Sequence, residues 1–164
     1  MQIRDAVADD WPKIWPFLRD IVRAGETYTW PVDVAEDIAR AMWMADALPY
    51  RTIVAVDGDD VMGTAKMGPN HMGPGAHVAN GSFMVSPDHS GKGVGRALGQ
   101  YVIDQARADG YRSIQFNAVV STNTVAVKLW QSLGFEIIAT LPEGYKHATK
   151  GYVGLHIMFR SLEP

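Results

Sequence analysis

The chain of 164 residues contains no cysteine. That excludes a disulfide framework, thiolate metal sites and a cysteinyl nucleophile. It also lacks a basic excess, since 15 Lys and Arg stand against 18 Asp and Glu for a net charge of −3. A dedicated nucleic-acid binder is not expected from that balance. No apolar run approaches the ~18 residues of a membrane span, and Met1-Gln2-Ile3-Arg4-Asp5 does not open a secretory signal. The five histidines show no metal-ligand spacing, so no metal is expected. Repeats, low-complexity tracts and Ser/Gly linkers are missing too. The expectation is one cytoplasmic domain, residues 1–164, of a size that buries roughly 70% of its unfolded surface.

A short strand is predicted near residues 2–6. Asp9-Asp10 then opens a helix whose first turn takes Pro12. Ile14, Phe17, Leu18, Ile21 and Val22 recur at helical spacing until Gly25. A loop over 26–30 leads to a second helix over 34–45. Residues 51–56 and 61–67 flank the turn Asp57-Gly58-Asp59 as a hairpin. A Gly/Pro loop over 68–75 precedes a strand over 77–85. Helical period returns from Val94 to Gly110, then a strand over 114–118, a helix over 126–133 and a strand over 135–140. After a Pro/Gly/Lys-rich loop, Val153, Leu155, Ile157 and Phe159 alternate in a last strand. The order β-α-α-β-β-β-α-β-α-β-β predicts an α/β fold with a sheet of mixed direction.

The segment between the fourth strand and the third helix, Ser86-Pro87-Asp88-His89-Ser90-Gly91-Lys92-Gly93-Val94-Gly95-Arg96, has glycine at three alternate positions. Amides of a helix's first turn have no intrahelical acceptor, and the helix dipole adds partial positive charge there. Glycines let a bulky anion approach, and Lys92 and Arg96 add full charges, so the loop suits a phosphate or pyrophosphate. It is not a P-loop, because Gly93 follows Lys92 where Ser or Thr is required. Nor is it the dinucleotide fingerprint, because Arg96 stands at the third glycine.

This arrangement resembles the acyl-CoA-binding motif of the GNAT acetyltransferase superfamily, Gln/Arg-x-x-Gly-x-Gly/Ala, with Ser90, Gly93 and Gly95 on its fixed positions. A second landmark of that family, an Asn before a helix that ends in Leu-Gly-Phe, is matched by Asn123 through Leu133-Gly134-Phe135. The order of elements is similar over nearly the whole chain. Val85-Ser86-Pro87 and Gly144-Tyr145-Lys146-His147 resemble the branch that acetylates free amino acids and phosphinothricin-type analogues. The resemblance implies a mainly antiparallel sheet flanked by helices, acetyl-CoA as co-substrate, and a small-molecule amine as partner. It also allows a homodimer. It implies that Phe83, Met84 and Val85 meet the pantetheine arm, and that Ser90, Gly91, Lys92, Gly93, Val94, Gly95 and Arg96 cradle the pyrophosphate. Asn123 would hydrogen-bond the cofactor, and Trp130 would lie beside it where many relatives carry a Tyr acid. An indole cannot serve as that acid.

Catalytic candidates are few. Asn80 occupies the place where relatives carry a Glu base, and an amide accepts no proton. Glu26, in the loop after the first helix, is the carboxylate candidate beside the simpler reading of a solvated surface group. Tyr152 aligns with a His that relatives use near the acceptor. Tyr28, Trp30 and His147 are candidates for the acceptor pocket. A non-catalytic acyl-CoA-sensing domain and acetylation of a protein or peptide amine stay open as alternatives.

Overall fold

A computed structural model describes residues 1–163. The strands are β1 (Gln2–Asp5), β2 (Arg51–Asp57), β3 (Asp60–Pro69), β4 (Val78–Val85), β5 (Ser113–Val120), β6 (Glu136–His147) and β7 (Gly151–Ser161). The helices are α1 (Trp11–Ala24), α2 (Glu36–Trp43), α3 (Val94–Ala108) and α4 (Thr124–Ser132). The predicted order of elements is the observed one. All strands join one sheet in the order β1-β2-β3-β4-β5-β7-β6, and every neighbouring pair is antiparallel except β4–β5.

Both faces of the sheet are covered. On one face α1 and α2 bury Ile14, Phe17, Leu18, Val22 and Trp43 against Val54, Val56, Val61 and Met84. On the other, α3 and α4 bury Val94, Leu98, Val102, Trp130 and Leu133 against Ile53, Ala65, Ile114 and Phe116. Each such apolar side chain contributes about 1.5–3 kcal/mol when fully buried. Gly99 lets the two helices of that face close up: a Cβ there would lie 2.7 Å from Leu133 Cδ1 and 2.9 Å from Trp130 Cζ3.

Two expected boundaries are corrected. The second helix is Glu36–Trp43, shorter than the expected 34–45. Its last turn is closed from outside by Thr52, whose hydroxyl donates to Trp43 O at 2.7 Å and accepts from Ala45 N at 2.8 Å. The predicted Pro/Gly/Lys-rich loop is instead the continuation of β6 to His147, with a register shift between Leu141 and Tyr145. Pro142 and Glu143, the latter at φ 53°, fall within that shift on an outer strand, where an unpaired proline disturbs no ladder.

The feature that positions the site is the one parallel pair. β4 and β5 touch in register only at Val78↔Ser113 and Ala79↔Ile114, after which they diverge and the sheet opens into a wedge. Phe83, Phe116 and Trp130 fill its apolar side, with Phe83–Trp130 ring centroids 4.6 Å apart and Phe116–Trp130 centroids 4.9 Å apart. Gly81 makes room for them, since a Cβ there would stand 3.1 Å from the Phe83 ring and 3.3 Å from that of Phe116.

Candidate active site

Parity along β4 decides which backbone groups face the wedge. Ser86 N donates to Met62 O and Asn70 N donates to Val78 O, so the even-numbered residues of β4 are bonded to β3. The amides of Gly81, Phe83 and Val85 therefore face the gap, while that of Met84 belongs to the β3 ladder. Gly81 N–H is met by Asn80 Oδ1 at 2.8 Å, and Phe83 O accepts the Tyr28 hydroxyl at 2.8 Å. The N–H groups of Phe83 and Val85 are left facing open space, the geometry of a sheet edge ready to receive an extended ligand.

β4 and β5 run parallel, so their C-terminal ends flank one mouth, as in open sheets that bind ligands where neighbouring strands part. At the end of β4 a short 3-10 turn, Pro87–His89, leads to Gly91 at φ 75° and Gly93 at φ 81°. Both conformations suit glycine. A Cβ on either would point into space with nothing within 4 Å, in front of the helix N-terminus. Among the described residues, the N–H groups of Gly91, Gly93, Val94, Gly95 and Arg96 find no acceptor. The first helical bond is Ala97 N to Gly93 O at 3.0 Å, and no side chain caps α3. Lys92 and Arg96 stand exposed beside them, Lys92 Nζ donating to Asp88 O at 3.0 Å and Arg96 to Ser132 Oγ at 2.7 Å. Five convergent donors, two cations and an open approach fit a diphosphate.

At the end of β5, Asn123 caps α4 through Oδ1, which accepts Ala126 N at 3.3 Å. Among the described residues its Nδ2 makes no hydrogen bond. Trp130 is buried and belongs to the wedge's packed wall, so it shapes the cleft from behind.

The other face of β4 meets the α1–α2 loop and the β6–β7 turn, two segments that chain position alone does not connect. Ala148 N donates to Gly25 O at 2.9 Å, and the Tyr145 hydroxyl to Tyr28 O at 3.0 Å. Tyr28 in turn donates to β4. Burial pushes the Tyr28 hydroxyl far above the ordinary tyrosine pKa, so it stays a neutral donor. Burial, with the Glu26 carboxylate adding to it, also raises Tyr145. Glu26 is exposed at this rim. Trp30 packs edge-on to Tyr28 and Trp43, at 6.1 and 6.0 Å between centroids. His147 is buried, and its Nδ1 accepts the Thr149 and Lys150 amides at 3.1 and 3.3 Å; it holds the turn. Tyr152 is 63% exposed, with Lys146 Nζ 5.9 Å over its ring.

Sequence reasoning passed over Tyr145 as a site former, and also Lys66, Tyr50 and Ser82. These three line a pocket of about 160 Å³ with Met67, Gly68, Pro69, Asn80 and Gly81. The signal was present in Lys66, a lone cation inside the otherwise uncharged run Val61–Pro69. The larger concavity, about 590 Å³ between α1 and α2, is lined by Ala8, Trp11, Pro12, Glu36, Asp37 and Arg40. It shares no residue with the wedge.

A sheet split beside a glycine-rich helix N-terminus suits an extended ligand that ends in a diphosphate, and comparison with known proteins gives the class of protein. A GCN5-related N-acetyltransferase from Kribbella flavida superposes with a TM-score of 0.95 at 59% identity, over 98% of this chain and 96% of that one. The structure of yncA from Salmonella typhimurium, solved with its cofactor acetyl-CoA, superposes with a TM-score of 0.83 at 28% identity, over 100% of this chain and 95% of that one. N-acetyltransferase aca1 of Schizosaccharomyces pombe is 29% identical over 167 residues, covering 90% of this chain and 79% of its own length. The model of the acetyltransferase (GNAT) family matches residues 9–135. The chain belongs to that family and is an N-acetyltransferase.

Proposed function

We propose that the domain moves the acetyl group of acetyl-CoA onto the primary amine of a small molecule, an amino acid or an analogue of one. The observation that carries this is the wedge itself. It has unpaired strand amides within, five free helix-end amides at its mouth, and a second pocket-forming surface pressed against the other face of the same strand.

Bound acetyl-CoA would supply an acyl thioester to which a neutral amine adds, forming the C–N bond; the C–S bond then breaks, CoA leaves as a thiolate, and the proton shed by the new amide nitrogen converts it to the thiol. The residues of this chain do the rest. The amides of Gly91, Gly93, Val94, Gly95 and Arg96, with the charges of Lys92 and Arg96, bind the diphosphate. Ser90 offers neither the cation nor the long donor that relatives carry at its position, and the two neighbouring cations replace it. The Phe83 and Val85 amides orient the pantetheine arm as a neighbouring strand would, and one of them donates to the developing oxyanion. Met84, bonded into β3, cannot. Asn123 offers Nδ2 from the opposite rim. The acceptor starts as an ammonium of pKa near 10.4; Glu26 takes its proton, directly or through one water. Asn80 holds Gly81 N–H and leaves proton transfer to Glu26, while Tyr28, Trp30, His147 and Tyr152 wall or rim the acceptor side. The Tyr28 and Tyr145 hydroxyls already donate to carbonyls, and a thiolate whose conjugate acid has a pKa near 8.5 departs without an acid.

The test is release of free thiol from acetyl-CoA across the twenty L-amino acids, their carboxamides and short peptides. Turnover with free amino acids or carboxamides is expected. Turnover with peptides alone would move the acceptor to a protein or peptide amine, and release with none would overturn the assignment.

A further inference from the structure

The pocket beside Asn80 is built from strands and is not part of the wedge. Lys66 on β3 lies opposite Ser82 on β4, and Gly68 lies opposite Asn80. By strand alternation the side chains of Lys66, Asn80 and Ser82 project on the face covered by α1 and α2, the face on which Thr64 receives the Trp43 indole N–H at 3.0 Å. Tyr50 closes one wall by lying flat against Gly68, where a Cβ would stand 2.3 Å from Tyr50 Cδ1.

The polar groups in this pocket are unbalanced. Lys66 Nζ donates to Met42 O at the last turn of α2 and sits 6.0 Å from the Tyr50 ring centroid. One of its three N–H groups is thus committed, the ammonium is fixed in place, and two N–H groups remain. Among the described residues Lys66 forms no ion pair, and no carboxylate lines the pocket. Burial holds its pKa below the usual lysine value, the direction that a missing counter-charge leaves uncorrected. Asn80 adds to the imbalance. Its Oδ1 is consumed by Gly81 N–H, so the amide presents Nδ2, a donor, outward. Ser82 Oγ and the Tyr50 hydroxyl make no hydrogen bond among the described residues and are free to donate. A half-buried cation, an oriented amide donor and two hydroxyls suit an anion of carboxylate geometry.

We infer that Lys66, Asn80, Ser82 and Tyr50 form the subsite that holds the carboxylate of the acceptor, making Lys66 a specificity-determining residue. The inference rests on the small-molecule amine acceptor proposed above. Position supports it: Ser82 and Asn80 precede Phe83 and Val85 on the same strand, at ~3.3 Å per residue. A carboxylate held at Asn80 and Ser82 leaves an α-amine a short way along β4, toward the residues whose amides face the wedge. The selectivity would be for free amino acids over their amides and over internal peptide positions.

The experiment compares KM and kcat for L-amino acids and their carboxamides in the parent, Lys66→Met, Lys66→Arg and Asn80→Asp, with acetyl-CoA affinity measured by calorimetry to establish that each variant is folded. The parent is expected to prefer acids. Lys66→Met should raise KM for acids at least tenfold more than KM for carboxamides, and Lys66→Arg should restore part of the difference. Asn80→Asp, which puts a carboxylate into the pocket without changing side-chain size, should reverse the preference. The inference is overturned if the parent acetylates acids and carboxamides equally, or if both Lys66→Met and Asn80→Asp keep the parental ratio. It is also overturned if Lys66→Met lowers kcat alike for acids and carboxamides, which would make the lysine a proton-transfer group. Failure of the parent to acetylate any amine would instead strike the acceptor assignment itself.

Discussion

Gly93 and Gly110 allow the diphosphate site to be tested against an internal control. The two residues have nearly equal backbone angles, φ 81° and 84°, and nothing lies within 4 Å of a Cβ placed on either. They stand at opposite ends of α3. Replacing either by Glu imposes the same left-handed strain on a non-glycine residue, about 1–2 kcal/mol, and adds the same charge. Only at Gly93 does the new carboxylate lie before the free amides of Gly91, Gly93, Val94, Gly95 and Arg96. A carboxylate about 5 Å from a phosphate charge is repelled by about 1 kcal/mol in water-like surroundings and about 3 kcal/mol at an effective dielectric of 20. Two phosphate charges give about 2–6 kcal/mol, a loss of affinity of roughly 30-fold or more. Urea unfolding should therefore show a loss in both variants, smaller for Gly93→Glu by about 0.5–2 kcal/mol, because its carboxylate meets the positive end of α3 and that of Gly110→Glu meets the negative end. Calorimetric titration with acetyl-CoA should show weakened binding for Gly93→Glu alone. Equal dissociation constants in the two folded variants would refute the assignment of the loop.

Three further outcomes are expected. Tyr28→Phe removes the hydroxyl that meets Phe83 O, and leaving that carbonyl unpaired should cost about 1–3 kcal/mol in urea unfolding; an unchanged midpoint would show that the tie between loop and β4 carries no stability. Glu26→Gln should lower the acetylation rate at neutral pH more than it changes acetyl-CoA affinity, whereas equal rates would remove Glu26 from proton transfer. The Arg4 guanidinium and Val7 N–H hold the buried Asp10 carboxyl below the usual range. Its stabilisation is then complete above the unfolded value near 3.9 and is lost as pH falls through the lower folded value. Asp10→Asn should weaken the protein at neutral pH by about 1–3 kcal/mol and flatten the fall in stability between pH 5 and 2. A parallel fall in both proteins would remove Asp10 as a source of acid sensitivity.

The order of elements was legible because most signals are local. Apolar spacing in α1 and α3, glycine stops at Gly25, Gly110 and Gly134, and the Asp57-Gly58-Asp59 turn each act within a few residues. The glycine loop was legible for the same reason, since its donors belong to one continuous segment. What stayed hidden depends on contacts distant in sequence. No local pattern tells that Thr52 closes α2, or that Tyr145 reaches Tyr28 across 117 positions. Pro142 and Gly144 read as a loop because their ordinary conformational preference favours one, and only pairing with β7 draws them into a strand. Trp130 showed helical spacing, but its packing against Phe83 and Phe116 depends on strands distant in sequence. Asn80 likewise read as a vacant base; that its Oδ1 accepts Gly81 N–H was not legible.

The parting of β4 from β5 has a thermodynamic side. A sheet joined at two register pairs is an unfinished sheet, and whatever lies along the free amides of Phe83 and Val85 becomes its missing strand. Such a ligand binds only the folded chain, so occupancy at a hundred times the dissociation constant adds about 2.7 kcal/mol to stability. The enzyme's resistance to unfolding would then track the supply of its own co-substrate, with the two halves of the sheet held together most firmly when acyl donor is plentiful.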